Sequence, residues 1–342
     1  MPWLPMTARH TPARLALKIE EIVGALQLDL RGRQVVTEAA TGVYAVTPLI
    51  AALAGAEVTA LTHSSRFGSV EDVRRETVAL AAELAVADRI RIVEALAPED
   101  LARADVVTNS GHVRPLDRAK VEHMKPGSVI PLMYESWELR PGEVDVETCR
   151  RRRIHVAGTN ERHPQLRVFD YLGMLAVLGL LRCGVPVPFA RIFLLSQNPF
   201  ASFIARTLAA CQADVTVLED TELSSDLAVR RARGPGDYDA LVVADTPGLL
   251  PVLGRAGAAK HSVEHIGRIG ALVQVWGDVD RTALPPVACY PELPPPKGHM
   301  GILLSELGPE PIVRLQAGGL KVGEVLTSAS PSADALQFCQ LI

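Results

Sequence analysis

Three short apolar runs between Asp105 and Pro164 constrain the fold more than any other part of the chain. Val106–Thr108, Val129–Met133 and Ile154–Ala157 are separated by two stretches of helical character with Pro and Gly at their edges. Parallel strands need a long return connection, usually a helix, so this alternation predicts a parallel sheet with crossover helices. Each run stops in a polar cluster: Asn109-Ser110-Gly111-His112, then Tyr134–Glu138, then Thr159–His163. Right-handed crossovers place all such carboxyl ends on one edge of the sheet, where open α/β sheets bind ligands. Asn109, Gly111, His112, Glu135, Asn160, Glu161 and His163 are therefore expected along one side of a single crevice.

The same rhythm runs through the rest of the chain. Ala13–Leu28 has helical apolar spacing, Gln34–Ala39 reads as a strand, and Thr47-Pro48 reads as N-cap and first residue of a helix ending near Ala54. Glu57–Thr62 is a second strand, Ser69 with Asp72 a capping box, and Arg91–Ala95 a third strand. The apolar helix Val168–Arg182 ends at Cys183-Gly184, and the pattern then restarts. Val35–His63 and Ile192–Asp220 align without a gap; Tyr238–Ala244 ends in Asp245, and Ala271–Val275 runs out at Asp278. A chance likeness of two βαβ units is the alternative to a true repeat, because the fold itself imposes such patterns.

The expected fold is α/β, with two tandem Rossmann-like domains of mostly parallel sheet linked by a long helix. The divisions fall at 1–30 (arm and helix), 31–165 (first domain), 166–188 (connecting helix), 189–290 (second domain) and 291–342 (Pro-rich linker and C-terminal segment). The connecting helix is expected to act as a hinge, and Pro311–Leu326 to pack back on the cleft between the domains.

The run LARADVVTNSGHVRPLDRAKVEHMKPGSVIPL, Leu101–Leu132, resembles the later half of the nucleotide-binding domain of D-2-hydroxyacid dehydrogenases. In that family an aDvV strand, a helix and MKpGa leading into a strand follow in this order; here Asp105-Val106-Val107 and Met124-Lys125-Pro126-Gly127 stand in those places. The resemblance covers Gln34 to Ala157 and implies a nicotinamide-nucleotide domain. It departs at Glu135-Ser136, where the family carries an Arg-Gly pair that grips the substrate carboxylate. A negative charge there repels a carboxylate, so that substrate class is not carried over.

A dinucleotide fold normally brings its backbone to the pyrophosphate through GxGxxG. Here the three glycine positions fall on Ala39, Thr41 and Tyr44, with Gly42 among them, and in the second domain on Ser196, Asn198 and Ala201. Thr41, Thr47, Ser196 and Asn198 are left as hydrogen-bond donors for a phosphate at a helix N-terminus. After the second strand comes His63-Ser64-Ser65-Arg66, small polar and basic where an NAD site would carry an acid; this suits the 2′-phosphate of NADP or, equally, a solvated loop. Glu219 and Asp220, in the equivalent place of the second domain, suit a ribose diol or a plain strand end.

For proton transfer the candidates are His112, Glu135 and Glu161, with Asn160, His163, Ser196, Asn198, Asp245 and Asp278 as substrate contacts and Thr41, Gly42, His63, Ser64, Ser65, Arg66, Asn109 and Gly111 as cofactor contacts. No HExxH or GxSxG spacing occurs, and His261 and His265 are expected on an exposed helix face.

Composition narrows the class. A net charge of −4 offers no basic field for nucleic acid or an anionic membrane, and the basic run Arg150–Arg153 fits a helix C-terminus. Five scattered cysteines without a CxxC suit a reducing cytoplasm rather than a disulfide framework. Tyr171–Leu181 is about half the ~20 residues a membrane span needs. The chain is thus expected to be a cytoplasmic small-molecule enzyme, compatible with a homodimer, with its site in an interdomain cleft and NADP-linked oxidoreduction as the leading reading. A group-transfer enzyme with a nucleotide-linked donor, its ribose on Glu219 or Asp220, and a non-catalytic Rossmann protein without cofactor are the alternatives.

Overall fold

The computed structural model describes residues 11–218, 230–231 and 234–342; Glu219, Asp220 and most of the N-terminal arm lie outside the described residues. The chain forms two compact units, Met1–Val168 with Gly308–Ile342, and Phe169–Leu307.

In the first unit α1 (Pro12–Leu26) is capped by Thr11 and precedes β1 (Gln34–Glu38). Then follow α2 (Val46–Leu53), β2 (Glu57–Leu61), α3 (Val70–Glu83), β3 (Ile90–Val93), α4 (Pro98–Arg103), β4 (Val106–Val107), α5 (Arg118–His123), β5 (Val129–Pro131), α6 (Val146–Arg152) and β6 (His155–Thr159). The expected capping box is present, with Ser69 and Asp72 each bonding the other's backbone at the start of α3. Arg150–Arg152 occupy the last turn of α6, where cations complement the helix dipole. Met124 ends α5, and Gly127 turns at φ +81°, a left-handed conformation that favours glycine.

The start of α2 differs from the expected cap. The chain enters α2 through a 3-10 turn at Gly42–Ala45, which puts Thr47 and Pro48 inside the helix rather than at its cap. The Thr47 hydroxyl is fully buried and donates to Gln316 Oε1 at 2.9 Å.

The second unit begins with α7 (Asp170–Arg182), which packs on α8 (Phe200–Ala210) after β7 (Arg191–Leu195). There follow β8 (Asp214–Val217), β9 (Arg230–Arg231), β10 (Gly236–Tyr238), β11 (Ala240–Ala244), β12 (Leu253–Gly254), β13 (His261–Ser262), β14 (Gly267–Ile269), β15 (Ala271–Trp276) and β16 (Ala288–Tyr290). Its main sheet runs β9-β8-β7-β11-β15-β16, all parallel. Between β11 and β15 the chain uses small strand pairs and a 3-10 turn at Val263–His265 in place of a crossover helix. This corrects the helix-face reading of His261 and His265: the first lies in β13, where its Nε2 meets Gln197 Oε1 at 2.9 Å.

The chain then returns to the first unit as α9 (Glu310–Thr327), α10 (Ala333–Leu336) and β17 (Cys339–Leu341). The first sheet runs β17-β6-β5-β4-β1-β2-β3, parallel except for β17, which pairs antiparallel with β6. Leaving β17 aside, both units share the doubly wound order 3-2-1-4-5-6. Their leading pairs also share a register: Val35 faces Val58 and Ile192 faces Val215, the positions that superpose in the ungapped alignment.

Pro311–Leu326, expected on the cleft, lies within the first unit on its sheet: α9 crosses β4, β5 and β6 and contacts α1 and α2. Gly318, Gly319 and Gly323 let it approach, because a Cβ on them would run into Leu166, Met133 and Val106. Enlarging such a site costs about 1–3 kcal/mol through strain. Gly319→Leu is accordingly expected to lower the urea midpoint of the first unit, and a chain ending at Leu307 to lose that unit's cooperative transition altogether. A truncated chain with an unchanged unfolding curve would show that the sheet does not need its returning helix.

Candidate functional site

Because β1, β2 and β4–β6 run parallel, their carboxyl ends lie on one edge of the first sheet. Three groups of side chains stand there, and each follows from a strand end.

The first group surrounds a cavity of about 600 Å³ at the ends of β2, β3 and β4. Leu61, Leu96, Pro98 and Leu101 give it an apolar wall, and His63, Gly111, His112, Lys120 and His123 line the polar side. The His63 and His112 rings meet edge to face, with centroids 5.6 Å apart. Lys120 Nζ donates to the carbonyls of Val113 and Pro115 at 2.8 and 2.9 Å, and among the described residues no carboxylate pairs with it. Arg114 and Glu94, also on the wall, are paired with Glu143 and Arg74. Nor do the side chains of His63, His112 and His123 hydrogen-bond to protein among the described residues. A hollow of this size with an apolar wall and unspent donors is what a small-molecule site requires.

Of the loop after β2, only His63 lines this cavity. Ser64 Oγ accepts from Val70 N at 3.3 Å and Ser65 Oγ from Phe67 N at 3.1 Å, so both hydroxyls shape the loop. Arg66 is exposed and lies 4.6 Å over the Phe67 ring.

The second group fills the turn between β1 and α2. Glu38, buried at the end of β1, accepts the His112 N–H at 3.0 Å, and Glu76 from α3 accepts the Gly42 N–H at 2.8 Å. Gly111 is small for this reason, since a Cβ on it would lie 2.5 Å from Glu38 Oε2. Thr41 Oγ1 donates to Phe67 O at 3.1 Å. Sequence reasoning missed both carboxylates. A charged residue closing an otherwise apolar first strand was the available signal for Glu38; nothing in the spacing marks Glu76.

The third group is acidic and sits beyond β5 and β6. Glu135 is buried; its Oε2 accepts the Trp137 indole N–H at 2.7 Å and its Oε1 faces Arg162 Nε at 3.5 Å. Glu138 Oε1 accepts the Glu135 N–H at 3.1 Å. Burial raises the Glu138 carboxyl to about 8, with Glu135 adding to the rise, and burial beside Glu138 and Glu135 raises Glu161 well above the usual range. Glu138 and Glu161 therefore both favour their protonated forms near neutrality. Beside them Asn109 Nδ2 donates to Tyr134 OH at 2.7 Å, and Tyr134 OH donates to Glu143. Burial and that bond raise the Tyr134 hydroxyl. Asn109 Oδ1 is buried and has no hydrogen-bond partner among the described residues.

Asn160 and His163 share this strand end but face the returning chain. Asn160 donates through N and Nδ2 to the carbonyls of Phe338 and Gln337 at 2.9 and 2.8 Å. The His163 ring stacks on Phe338 at 3.6 Å, and burial lowers its basicity.

In the second unit Ser196, Asn198 and Asp245 come together. Asn198 Oδ1 accepts from Ser196 Oγ at 3.3 Å and caps Phe200 N at 2.9 Å, while its Nδ2 donates to Asp245 Oδ1 at 2.8 Å. Lys260, not anticipated from the sequence, donates to Asp245 Oδ2 at 2.7 Å. Asp278 stands apart from this network and accepts from Gly298 N at 2.9 Å. Among the described residues no group of three His, Cys, Asp or Glu side chains is placed to hold a metal, and no helix is long and apolar enough to cross a membrane.

The acidic group has a pH signature. Glu138 and Glu161 bind protons more tightly folded than unfolded, so the folded state holds the extra protons from the ordinary glutamate range up to about 8. Stability then falls as pH rises through that window. Urea midpoints measured from pH 5 to 8 are expected to fall in the parent and to fall less in Glu138→Gln. Parallel profiles for the two would contradict the assignment.

No family model matches the chain, and no curated protein matches it. Solved structures do. One of the subunits of dipicolinate synthase from Bacillus halodurans is similar with a TM-score of 0.52 at 12% identity, over 89% of this chain and all 100% of that one. The D-lactate dehydrogenase of Treponema pallidum gives 0.48 at 9%, over 71% and 90% of the two chains. The NAD-dependent formate dehydrogenase of Staphylococcus aureus, in complex with NAD, gives 0.44 at 15%, over 83% and 98%. At these identities the likeness to the first of them shows a common α/β fold.

Proposed function

We propose that the chain is an oxidoreductase acting on a small molecule, and that its first unit takes NADP(H) in preference to NAD(H). The observation that carries this reading is the cavity at the ends of β2, β3 and β4, lined by His63, His112, His123 and Lys120, whose side chains are not engaged with any carboxylate among the described residues. In a doubly wound sheet the adenosine half of a dinucleotide lies beyond β2. The apolar wall of Leu61, Leu96 and Leu101 suits a flat base, and the basic side suits a phosphate on the ribose. The residue after Thr62 is His63, so the acid that would select a free ribose diol is missing. The likeness of Leu101–Leu132 to D-2-hydroxyacid dehydrogenases supports the same class.

The fit is not uniform along the cofactor. The cavity offers what the adenosine and its phosphate need, whereas the β1–α2 turn offers two carboxylates where a pyrophosphate would come. Among the groups expected to move protons, His112 faces the cavity and Glu161 belongs with Glu138 to the proton-holding pair. That pair is the group in the first unit able to give or take a proton near neutral pH beside β5 and β6, the position at which the dehydrogenase resemblance implies the substrate.

A titration following nicotinamide fluorescence tests the reading. NADPH is expected to bind at least ~10-fold more tightly than NADH, and His63→Ala to remove about that factor from NADPH alone, the worth of one charge-assisted hydrogen bond. No binding of either nucleotide at millimolar concentration, or equal binding of both, would overturn it.

A further inference from the structure

The two halves of the crevice differ in how their donors are used, and this difference bears on how a nucleotide is held. A pyrophosphate bound at a β1–α2 turn takes the backbone N–H groups there. In this chain the Gly42 N–H is bonded to Glu76 Oε2 at 2.8 Å and the His112 N–H to Glu38 Oε2 at 3.0 Å. The Thr41 hydroxyl is spent on Phe67 O. The arrangement is built in rather than incidental: Glu38 is buried, Gly111 leaves the space that its oxygen fills, and Glu76 reaches the turn from a helix fixed by its own capping box. A pyrophosphate brought to this place would meet two carboxylates and no free donor among those three. The neighbouring cavity, lined by the Gly111 and His112 that touch Glu38, shows the reverse condition. It presents Lys120 without a carboxylate and three imidazoles without protein hydrogen bonds among the described residues.

We infer that the first unit holds its nucleotide by the adenosine-phosphate end alone, with Glu38 and Glu76 standing in for the pyrophosphate at the turn. The inference rests on the nucleotide reading above and names the part of the ligand that is recognised: a purine ribonucleotide with a phosphate on the ribose. Its consequence is that the pyrophosphate adds nothing to affinity, so 2′-AMP and NADP⁺ bind alike. Removing Glu76 frees the Gly42 N–H and one negative charge, and affinity for the pyrophosphate-bearing ligand alone should rise.

Calorimetric titration of the full chain with 2′-AMP, NADP⁺ and ADP, repeated on Glu76→Ala and on Glu38→Gln, tests this. Glu76 is only partly buried on α3, where alanine is a good helix former, so that variant keeps its helix and its fold. The expected result is parent Kd values for 2′-AMP and NADP⁺ within about 3-fold of each other, and a gain of about 10-fold for NADP⁺ in Glu76→Ala with 2′-AMP unchanged. NADP⁺ binding 10-fold or more tightly than 2′-AMP in the parent, or no gain in either variant, would overturn the inference. If the parent binds neither 2′-AMP nor NADP⁺, the NADP reading fails; a gain for ADP in Glu76→Ala would still uphold the role of the carboxylates, and its absence would end that as well.

Discussion

The packing of α9 on β4, β5 and β6 is the contact on which the rest of the first unit depends. A parallel sheet must have both faces covered, because its strands are apolar on both sides. Here the cover over half of one face comes from the far end of the chain. Three glycines bring the helix backbone onto the sheet, and Thr47 and Gln316 tie it to α2 through a buried hydrogen bond. The strand that follows, β17, then closes the β6 edge, and Gln337 and Phe338 just before it engage Asn160 and His163. The position of the acidic group follows, because Ser136 N is held by Gln340 of that same strand at 2.8 Å.

On this scaffold the carboxyl edge is divided by chemistry. Beyond β2 and β4, basic and apolar side chains leave donors unspent around a cavity. At β1 a carboxylate holds the Gly42 N–H, and Glu38 holds the His112 N–H from the loop after β4. Beyond β5 and β6, three glutamates are crowded enough that burial and mutual repulsion keep protons on two of them. A second hollow of about 580 Å³ lies by the amino-terminal halves of β1–β3, but its charged walls include paired groups, Arg91 with Asp100 and Arg89 with Glu57.

Much of this was legible in the sequence where local pattern decides structure. Strand and crossover spacing set the doubly wound order of both units, and the alignment of Val35–His63 with Ile192–Asp220 carried their shared register. Ser69 with Asp72 and the basic turn Arg150–Arg152 sat where propensity and the helix dipole put them. What the pattern missed depends on partners distant in the chain. Thr47 looked like a cap because nothing nearby shows that Gln316 will be its acceptor. Asn160 and His163 looked like crevice residues because strand ends usually are, yet Gln337 and Phe338 arrive from almost the end of the chain to meet them. Nothing in the spacing singles out Glu76; that its carboxylate reaches Gly42 follows from how α3 packs.

Hydrogen exchange of the full chain with and without NADP⁺ tests the central claim most directly, because it locates the ligand by backbone segment. A nucleotide held beyond β2 and β4 should slow exchange in peptides covering residues 61–68, 94–101 and 109–123, and leave 39–46 unchanged. Slowing centred on 39–46, or confined to the second unit, would contradict the account.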